Sequence, residues 1–252
     1  MKVKRQATTT NVFRQSMNIS SLNKARRLAC AIPLIGFLLT NGAHAGIDGS
    51  KIAPATADPQ GQSMVEWAAQ YWSWQVLGQP AAQQFGHVLF PVGPACSVTG
   101  SGTLADPLVL TLCAEFSIKA GTAFADPNLT WLSEVYEDGS TDPVPSEQWW
   151  STYAILTEPV VLDGKTVVTQ TDIGKYFVSY TYDPPVMYPQ PTSYGSIGAH
   201  AIAGWMMFVQ PMAVGVHHLT AAAGILAPAN NGFLPFEIGQ IIRVDWTINV
   251  VP

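Results

Sequence analysis

The sequence predicts a mainly β fold, a single antiparallel β-sandwich of jelly-roll-like form with one amphipathic helix. Three observations support this prediction. Apolar residues recur with a period of two along most of the chain, Gly, Pro and Asp residues break this pattern at short intervals, and only one segment has a clear helical period. Many short strands with a single helix are typical of sandwiches and jelly rolls.

The helix is predicted to begin after Ser63. Ser63 and Glu66 have the spacing of a capping box, in which each side chain bonds the other residue's backbone amide. Gly78 is placed to end the helix in a left-handed cap. The residues that recur at helical spacing are Met64, Trp67, Ala68, Tyr71, Trp74 and Gln75.

The strands are predicted after this helix. The clearest is the last, because apolar and polar side chains alternate along it, as in a strand with one buried face. Asp163-Gly164 is a hairpin signal, and four prolines make the segment 183–198 a long surface loop. The predicted strands are His87–Val92, Leu108–Cys113, Tyr153–Leu156, Lys165–Thr169, Lys175–Tyr182, Trp205–Val209, Val216–Thr220 and Ile241–Val250.

Residues 1–45 read as a signal peptide that is cleaved after Ala45. Basic residues precede an uncharged run at 28–40, and Ala43-His44-Ala45 has the small-x-small pattern of a cleavage site. The run of about thirteen residues is shorter than the roughly twenty that span a bilayer. We therefore expect a secreted or periplasmic protein without a membrane span after cleavage. Residues 46–61 would then be a flexible lead-in and 62–252 the sandwich domain.

The charge of the mature chain excludes one class of partner. Seven of the twelve basic residues lie within 1–45 and none of the seventeen acidic residues does, so the mature formal charge is 5 − 17 = −12. An acidic surface without a basic stripe repels phosphate backbones. Nucleic-acid binding is therefore not expected.

Two cysteines remain after cleavage, Cys96 and Cys113. An even number in an oxidising compartment favours a disulfide. Closing a loop of this length should stabilise the fold by about 3 kcal/mol in the chain-entropy model. The alternative, a thiolate metal site, lacks the close C-x-x-C spacing that zinc sites use.

The helical segment also carries a resemblance. Glu66-Trp67-Ala68-Ala69-Gln70-Tyr71-Trp72-Ser73-Trp74 resembles the Trp-rich opening helix of a group of uncharacterised secreted bacterial and archaeal proteins. Further matching elements are Cys113, Ala120-Gly121-Thr122-Ala123-Phe124, Asp163-Gly164-Lys165 and Gly215-Val216-His217. The chain departs from the group in its Pro- and Met-rich second half. The resemblance implies an exported β-sandwich and brings no activity with it.

Histidines are the candidate metal ligands. His217 and His218 would point to opposite faces of a strand, so a site would combine one of them with His200 or His87 and a carboxylate such as Glu237 or Glu115. A divalent metal held in this way would make the domain a metal-dependent enzyme. Without an H-x-H or H-E-x-x-H spacing, hydrogen-bonded structural histidines are the favoured interpretation, and no cofactor is expected.

Aromatic residues are the candidate binding surface. If Trp149 and Trp150 lie in a strand, one of them is exposed, and Tyr188 and Tyr194 lie in the Pro-rich loop. The alternative is that the tryptophans are wedged between helix and sheet and the tyrosines cover one open end of the sandwich. The acidic residues near 134–142 read as a solvated turn, and there is no Gly-x-Ser-x-Gly elbow.

We therefore predict an exported binding or structural module, with an enzyme the less favoured alternative. Its partner would be a glycan, a cell-surface component or a protein. The sequence predicts no oligomeric state.

Overall fold

The computed structural model describes residues 52–78, 82–91 and 93–252, with the side chains of residues 127 and 128 left out. The predicted signal peptide and its cleavage site lie outside these ranges. Ile52 and Ala53 form a short buried strand that pairs with Val209 and Phe208.

The described residues form twelve strands and two α-helices. The helices are α1 (Met64–Val76) and α2 (Glu147–Tyr153), and short 3-10 turns lie at Pro59–Gly61 and Ile173–Tyr176. The strands are β1 (Ile52–Ala53), β2 (Gln83–Phe85), β3 (Val88–Phe90), β4 (Ala95–Thr99), β5 (Leu108–Lys119), β6 (Ala123–Tyr136), β7 (Ala154–Leu162), β8 (Lys165–Val168), β9 (Phe177–Met187), β10 (Ser196–Val209), β11 (Gly215–Ala227) and β12 (Ile238–Val251).

The strands form two six-stranded sheets. Sheet A has the order β1-β10-β6-β3-β2, with β9 also paired to β10, and sheet B has the order β4-β5-β12-β11-β7-β8. Both sheets are mixed, which corrects the predicted antiparallel sandwich, because β12 pairs parallel with β5 and β3 pairs parallel with β6. The chain passes from β5 directly into β6 of the other sheet and returns beside β5 only at β12, and such long connections allow parallel neighbours.

The two sheets share one hydrophobic cluster, to which β6 and β10 contribute from sheet A and β7, β11 and β12 from sheet B. A second cluster joins α1 to the other face of sheet A. Strand β10 is therefore covered on both faces, and its residues from Ala201 to Val209 are all buried. In β12 the burial alternates from residue 242 onward, with one face in the core and the other toward solvent.

Helix α1 lies where the sequence predicts it. The Ser63 hydroxyl accepts from the Glu66 amide at 3.3 Å, and the Ser63 amide donates to Glu66 Oε2 at 2.9 Å. Gly78 follows the helix with a φ of +72°, a conformation that costs glycine least. Among the described residues, no helix is both long and apolar enough to cross a membrane.

Helix α2 and the far end of β9 differ from the prediction. Trp149 and Trp150 lie in α2, which Ser146 caps by accepting from the Trp149 amide at 3.1 Å. Strand β9 continues through Pro184 and Pro185, and the Pro-rich loop shrinks to residues 188–195. Among the strands of the described residues, β9 pairs only with β10. An edge strand tolerates proline because one side of its backbone needs no ladder bond.

Candidate functional site

Glu134, near the end of β6, is a buried carboxylate that receives two phenols. Glu134 is only 2% exposed. The hydroxyl groups of Tyr188 and Tyr194 both donate to its Oε1 atom, at 2.5 and 3.1 Å. Tyr188 directly follows β9 and Tyr194 lies in the loop that leads to β10, so this one oxygen fixes both ends of the loop to sheet A.

Asp142 connects Glu134 to Tyr136 at the C-terminal end of β6. Its Oδ2 accepts from the Glu134 backbone amide at 3.2 Å, and its Oδ1 accepts from the Tyr136 hydroxyl at 3.1 Å. The imidazole Nε2 of His200 lies 2.9 Å from the Asp142 carbonyl oxygen. We call Glu134, Asp142, Tyr136, Tyr188 and Tyr194 the carboxylate–tyrosine cluster.

Local hydrogen bonds shape the loop that carries the two tyrosines. The Thr192 amide donates to Ser196 O at 2.8 Å, and the Ser196 amide donates back to Thr192 Oγ1 at 2.9 Å. Gly195 has a φ of +88° within this turn, where a side chain would be strained. The Tyr188 amide donates to Ile197 O at 2.9 Å. These hydrogen bonds close the loop on itself.

Burial sets the protonation of the cluster. It raises the pKa of Glu134, which the charge of Asp142 raises further, while the hydroxyls of Tyr188, Ser196 and Tyr194 lower it. Burial also raises the pKa of Asp142. The phenol pKa values of Tyr136, Tyr188 and Tyr194 all lie above the usual 10, because of burial and then the nearby carboxylates. The tyrosines are therefore neutral hydrogen-bond donors at physiological pH.

The structure separates the four residues predicted as an aromatic surface. Tyr188 and Tyr194 meet at Glu134 and remain half-buried. Trp149 and Trp150 are 7% and 1% exposed, so they cannot form an exposed binding surface. The Trp149 indole donates to Asn231 Oδ1 at 3.1 Å, and Trp150 packs edge-on against Trp205. Their place in a helix over the core explains the correction.

The histidines predicted as metal ligands lie apart and have other partners. His200 is on β10 of sheet A, whereas His217 and His218 are on β11 of sheet B, and Glu237 precedes β12. His217 Nδ1 contacts Asp163 Oδ2 at 2.7 Å, and His218 Nδ1 lies 3.3 Å from Thr247 Oγ1. Within the described part of the chain, no three His, Cys, Asp or Glu side chains are grouped to hold a metal.

The predicted disulfide is present. Cys96 and Cys113 are bonded and join edge strand β4 to β5. Both cysteines are therefore accounted for without a thiolate metal site.

The burial of two carboxyl groups, those of Glu134 and Asp126, is not predicted from the sequence. The sequence predicts Glu134 in a solvated turn, but strand β6 extends past it to Tyr136. The available signal was the segment Leu129–Leu132 just before it, in which three of the four residues are apolar. Asp126 lies beside an irregular step of β6 and is 4% exposed. Its Oδ2 has no hydrogen-bond partner in the described structure, and burial raises its pKa to about 7.

No family model and no curated protein matches this chain. The fold and the site define a mainly β protein in which a short, internally bonded loop presents two anchored tyrosines.

Proposed function

We propose that the protein is an exported, non-catalytic module that binds a glycan at the loop 188–195. One observation carries this proposal. The hydroxyls of Tyr188 and Tyr194 both donate hydrogen bonds to Glu134 Oε1. These bonds hold two half-buried rings in fixed positions at the edge of sheet A. Binding loops commonly lie on rigid β scaffolds, and the scaffold we infer here is a jelly-roll-like sandwich.

The chemistry of the surface favours a neutral or amine-bearing sugar. Aromatic ring faces pack on the apolar C–H faces of pyranose rings, and carboxylates accept hydrogen bonds from sugar hydroxyls. Among the described residues, neither Glu134 nor Asp142 forms a salt bridge with a Lys or Arg. The mature chain would carry a charge of 5 − 17 = −12. An anionic glycan would be repelled by such a surface.

Pre-organisation is the physical advantage of the arrangement. A tyrosine whose hydroxyl is already bonded loses little rotamer freedom when a ligand packs on its ring. The loop backbone is likewise fixed by the Thr192–Ser196 bonds. Binding energy is therefore not spent on ordering the loop.

Export through the predicted signal peptide, with cleavage after Ala45, belongs to the same proposal. A cell-surface or extracellular glycan is then accessible to the protein. The metal-dependent enzyme, with His200 and His217 or His218 as ligands, is the weaker candidate because these histidines lie in different sheets.

A glycan-array screen followed by calorimetric titration of the best ligand tests the proposal. Tyr188→Ala and Tyr194→Ala should each weaken binding by about tenfold or more, equivalent to about 1.4 kcal/mol. Tyr180→Ala is the matched control, because Tyr180 is a 36% exposed tyrosine of β9 that makes no hydrogen bond to Glu134. Circular dichroism checks that each variant is folded.

Two results would count against the proposal. The first is an array on which the folded wild-type protein binds no glycan. The second is a glycan that both tyrosine variants bind as tightly as the wild type, which would move the binding surface elsewhere.

A further inference from the structure

Strand β4 (Ala95–Thr99) forms one edge of sheet B. It pairs with β5 on one side, and no described strand pairs with its other side. Four of its five residues are exposed. The backbone N–H and C=O groups that alternate along this open side can therefore pair with a further strand.

The other strands at the ends of the two sheets are protected against such pairing. β9 contains Pro184 and Pro185, and β8 has four residues and begins with Lys165. β1 and β2 have only two and three residues. Short strands, prolines and lysines are common means of preventing edge-to-edge association. β4 has five residues, none of which is proline or charged.

The disulfide fixes β4 in place on its neighbour. The pairing with β5 is irregular between Ala95 and Ser97, and at this step the Cys96–Cys113 bond joins the two strands. From Ser97 to Thr99 the pairing is regular. The edge is thus ordered before any association, so little conformational entropy is lost when a second strand pairs with it.

Val98 gives this edge an apolar centre. It lies opposite Leu110 of β5, which is 7% exposed, whereas Val98 itself is 54% exposed. Residues directly opposite each other in a ladder share one face of the sheet. A buried apolar row therefore continues to the open edge, and an aliphatic side chain on an added strand would cover Val98.

Charge favours a second copy of the chain as the occupant of this edge. The mature chain would carry a charge of 5 − 17 = −12, so two copies repel each other where their acidic residues meet. The segment 88–114, which includes β4 and the part of β5 beside it, has Asp106 as its only charged residue. A strand that pairs with its own copy must avoid charge, because like charges directly opposite each other are destabilising.

We propose that β4 is a self-association edge, at which two copies of the protein pair antiparallel about a two-fold axis. The axis passes between the two Val98 residues, so Val98 lies opposite Val98, and Ser97 lies opposite Thr99 of the other copy. Every facing pair is neutral, and sheet B of one copy continues into sheet B of the other. This association goes beyond glycan binding at the loop 188–195 and does not depend on it.

Sedimentation equilibrium of the mature, disulfide-bonded protein tests the proposal. A ladder of five residues is a small contact, so we expect a weak dimer with a dissociation constant on the order of 10–100 µM. Val98→Lys places two ammonium groups opposite each other and should raise this constant by about tenfold or more. Circular dichroism checks that the variant is folded.

Val216→Lys is the matched control. Val216 is a 60% exposed valine of β11, which lies inside sheet B between β12 and β7. The substitution changes the net charge of the protein by the same amount as Val98→Lys but leaves the edge intact. The dissociation constant of this variant should equal that of the wild type.

Hydrogen exchange of the wild-type protein tests the same contact without a substitution. Amides of β4 that face the open edge should exchange severalfold more slowly at about 500 µM than at about 1 µM, because they are bonded in the dimer. Amides of β8, at the opposite edge of sheet B, should exchange equally at both concentrations.

Four results would overturn the proposal. The first is a wild-type protein that sediments as a monomer at about 500 µM. The second is a folded Val98→Lys variant that dimerises as tightly as the wild type. The third is a Val216→Lys variant that dissociates as readily as Val98→Lys. The fourth is a set of β4 amides whose exchange does not depend on protein concentration.

Discussion

Buried polar side chains in this protein differ in how fully they are bonded. Asn231 accepts at Oδ1 from the Trp149 indole and from the amides of Phe233 and Leu234, so its burial is compensated. Glu134 is similarly bonded, by phenols. Asp126 is not, and an unbonded buried carboxyl group avoids the cost of its charge by staying protonated.

Removal of the Tyr188 hydroxyl tests how far Glu134 depends on its phenols. Tyr188→Phe should lower the free energy of unfolding by about 1–3 kcal/mol, because a buried carboxylate loses a donor. The pKa of Glu134 should rise further, since the Tyr188 hydroxyl lowers it. Urea denaturation and carboxyl carbon shifts measure the two effects.

The control for this change is Tyr180→Phe, on the exposed part of β9, which should be nearly neutral. Equal losses of stability in the two variants would show that the hydroxyl contact with Glu134 contributes nothing specific. An unchanged titration of Glu134 in Tyr188→Phe would contradict the electrostatic argument.

At the scale of single elements, local signals located α1 but not the strands around the site. Ser63, Glu66 and Gly78 act within one or two helical turns, so their effect is visible in the sequence. Strand β6 was missed entirely, since its residues up to Ala125 are buried whichever face they occupy and show no period of two. The secondary structure of such segments is determined by tertiary packing, for which the sequence carries no local signal.

The same reasoning explains what was predicted of the site. Tyr188 and Tyr194 were found because prolines mark their loop, whereas their common partner Glu134 is more than fifty residues away in sequence. Pairing between β6 and β10 brings them together. A contact of this separation depends on sheet register, for which a single sequence gives no signal.

Ser63→Ala tests the capping box of α1. The variant should lose about 1 kcal/mol of stability, because the Glu66 amide loses its acceptor and the Glu66 side chain loses the Ser63 hydroxyl. Thermal denaturation measures the change. Ser151→Ala, within α2 and away from its N-cap, should have little effect, and an equal loss in both variants would argue against a capping contribution.

The disulfide should stabilise the edge of sheet B. Cys96→Ser with Cys113→Ser should lower the free energy of unfolding by about 3 kcal/mol, because the unfolded chain gains the freedom of a loop that the bond closes between residues 17 apart. Chemical denaturation of the oxidised protein and the double variant measures this. A loss of unfolding free energy smaller than about 0.5 kcal/mol would show that the disulfide contributes little to stability.

At the scale of the whole molecule, folding removes three carboxyl groups, those of Asp126, Glu134 and Asp142, wholly or partly from water, and none of them has a salt bridge among the described residues. Burial raises the pKa of Asp126, Glu134 and Asp142 alike. The folded protein therefore binds more protons than the unfolded chain at mildly acidic pH. Stability should fall as the pH rises through this range, which is the opposite of ordinary acid denaturation.

Asp126→Asn isolates the largest part of this effect. The pKa of Asp126 is about 7 in the folded protein against 3.8 for an unperturbed group, so its contribution is present below about pH 4 and is lost as the pH rises through 7. The difference corresponds to at most about 4 kcal/mol, at 1.36 kcal/mol per pH unit. The uncharged amide should flatten the dependence of stability on pH and make the variant more stable than the wild type at about pH 8, as measured by urea denaturation from about pH 4 to pH 8.

Asp106→Asn, at an exposed turn, is the control and should keep the wild-type slope. If Asp126→Asn kept that slope as well, the carboxyl group would be ionised within the fold, and the pH dependence would have to come from Glu134 and Asp142.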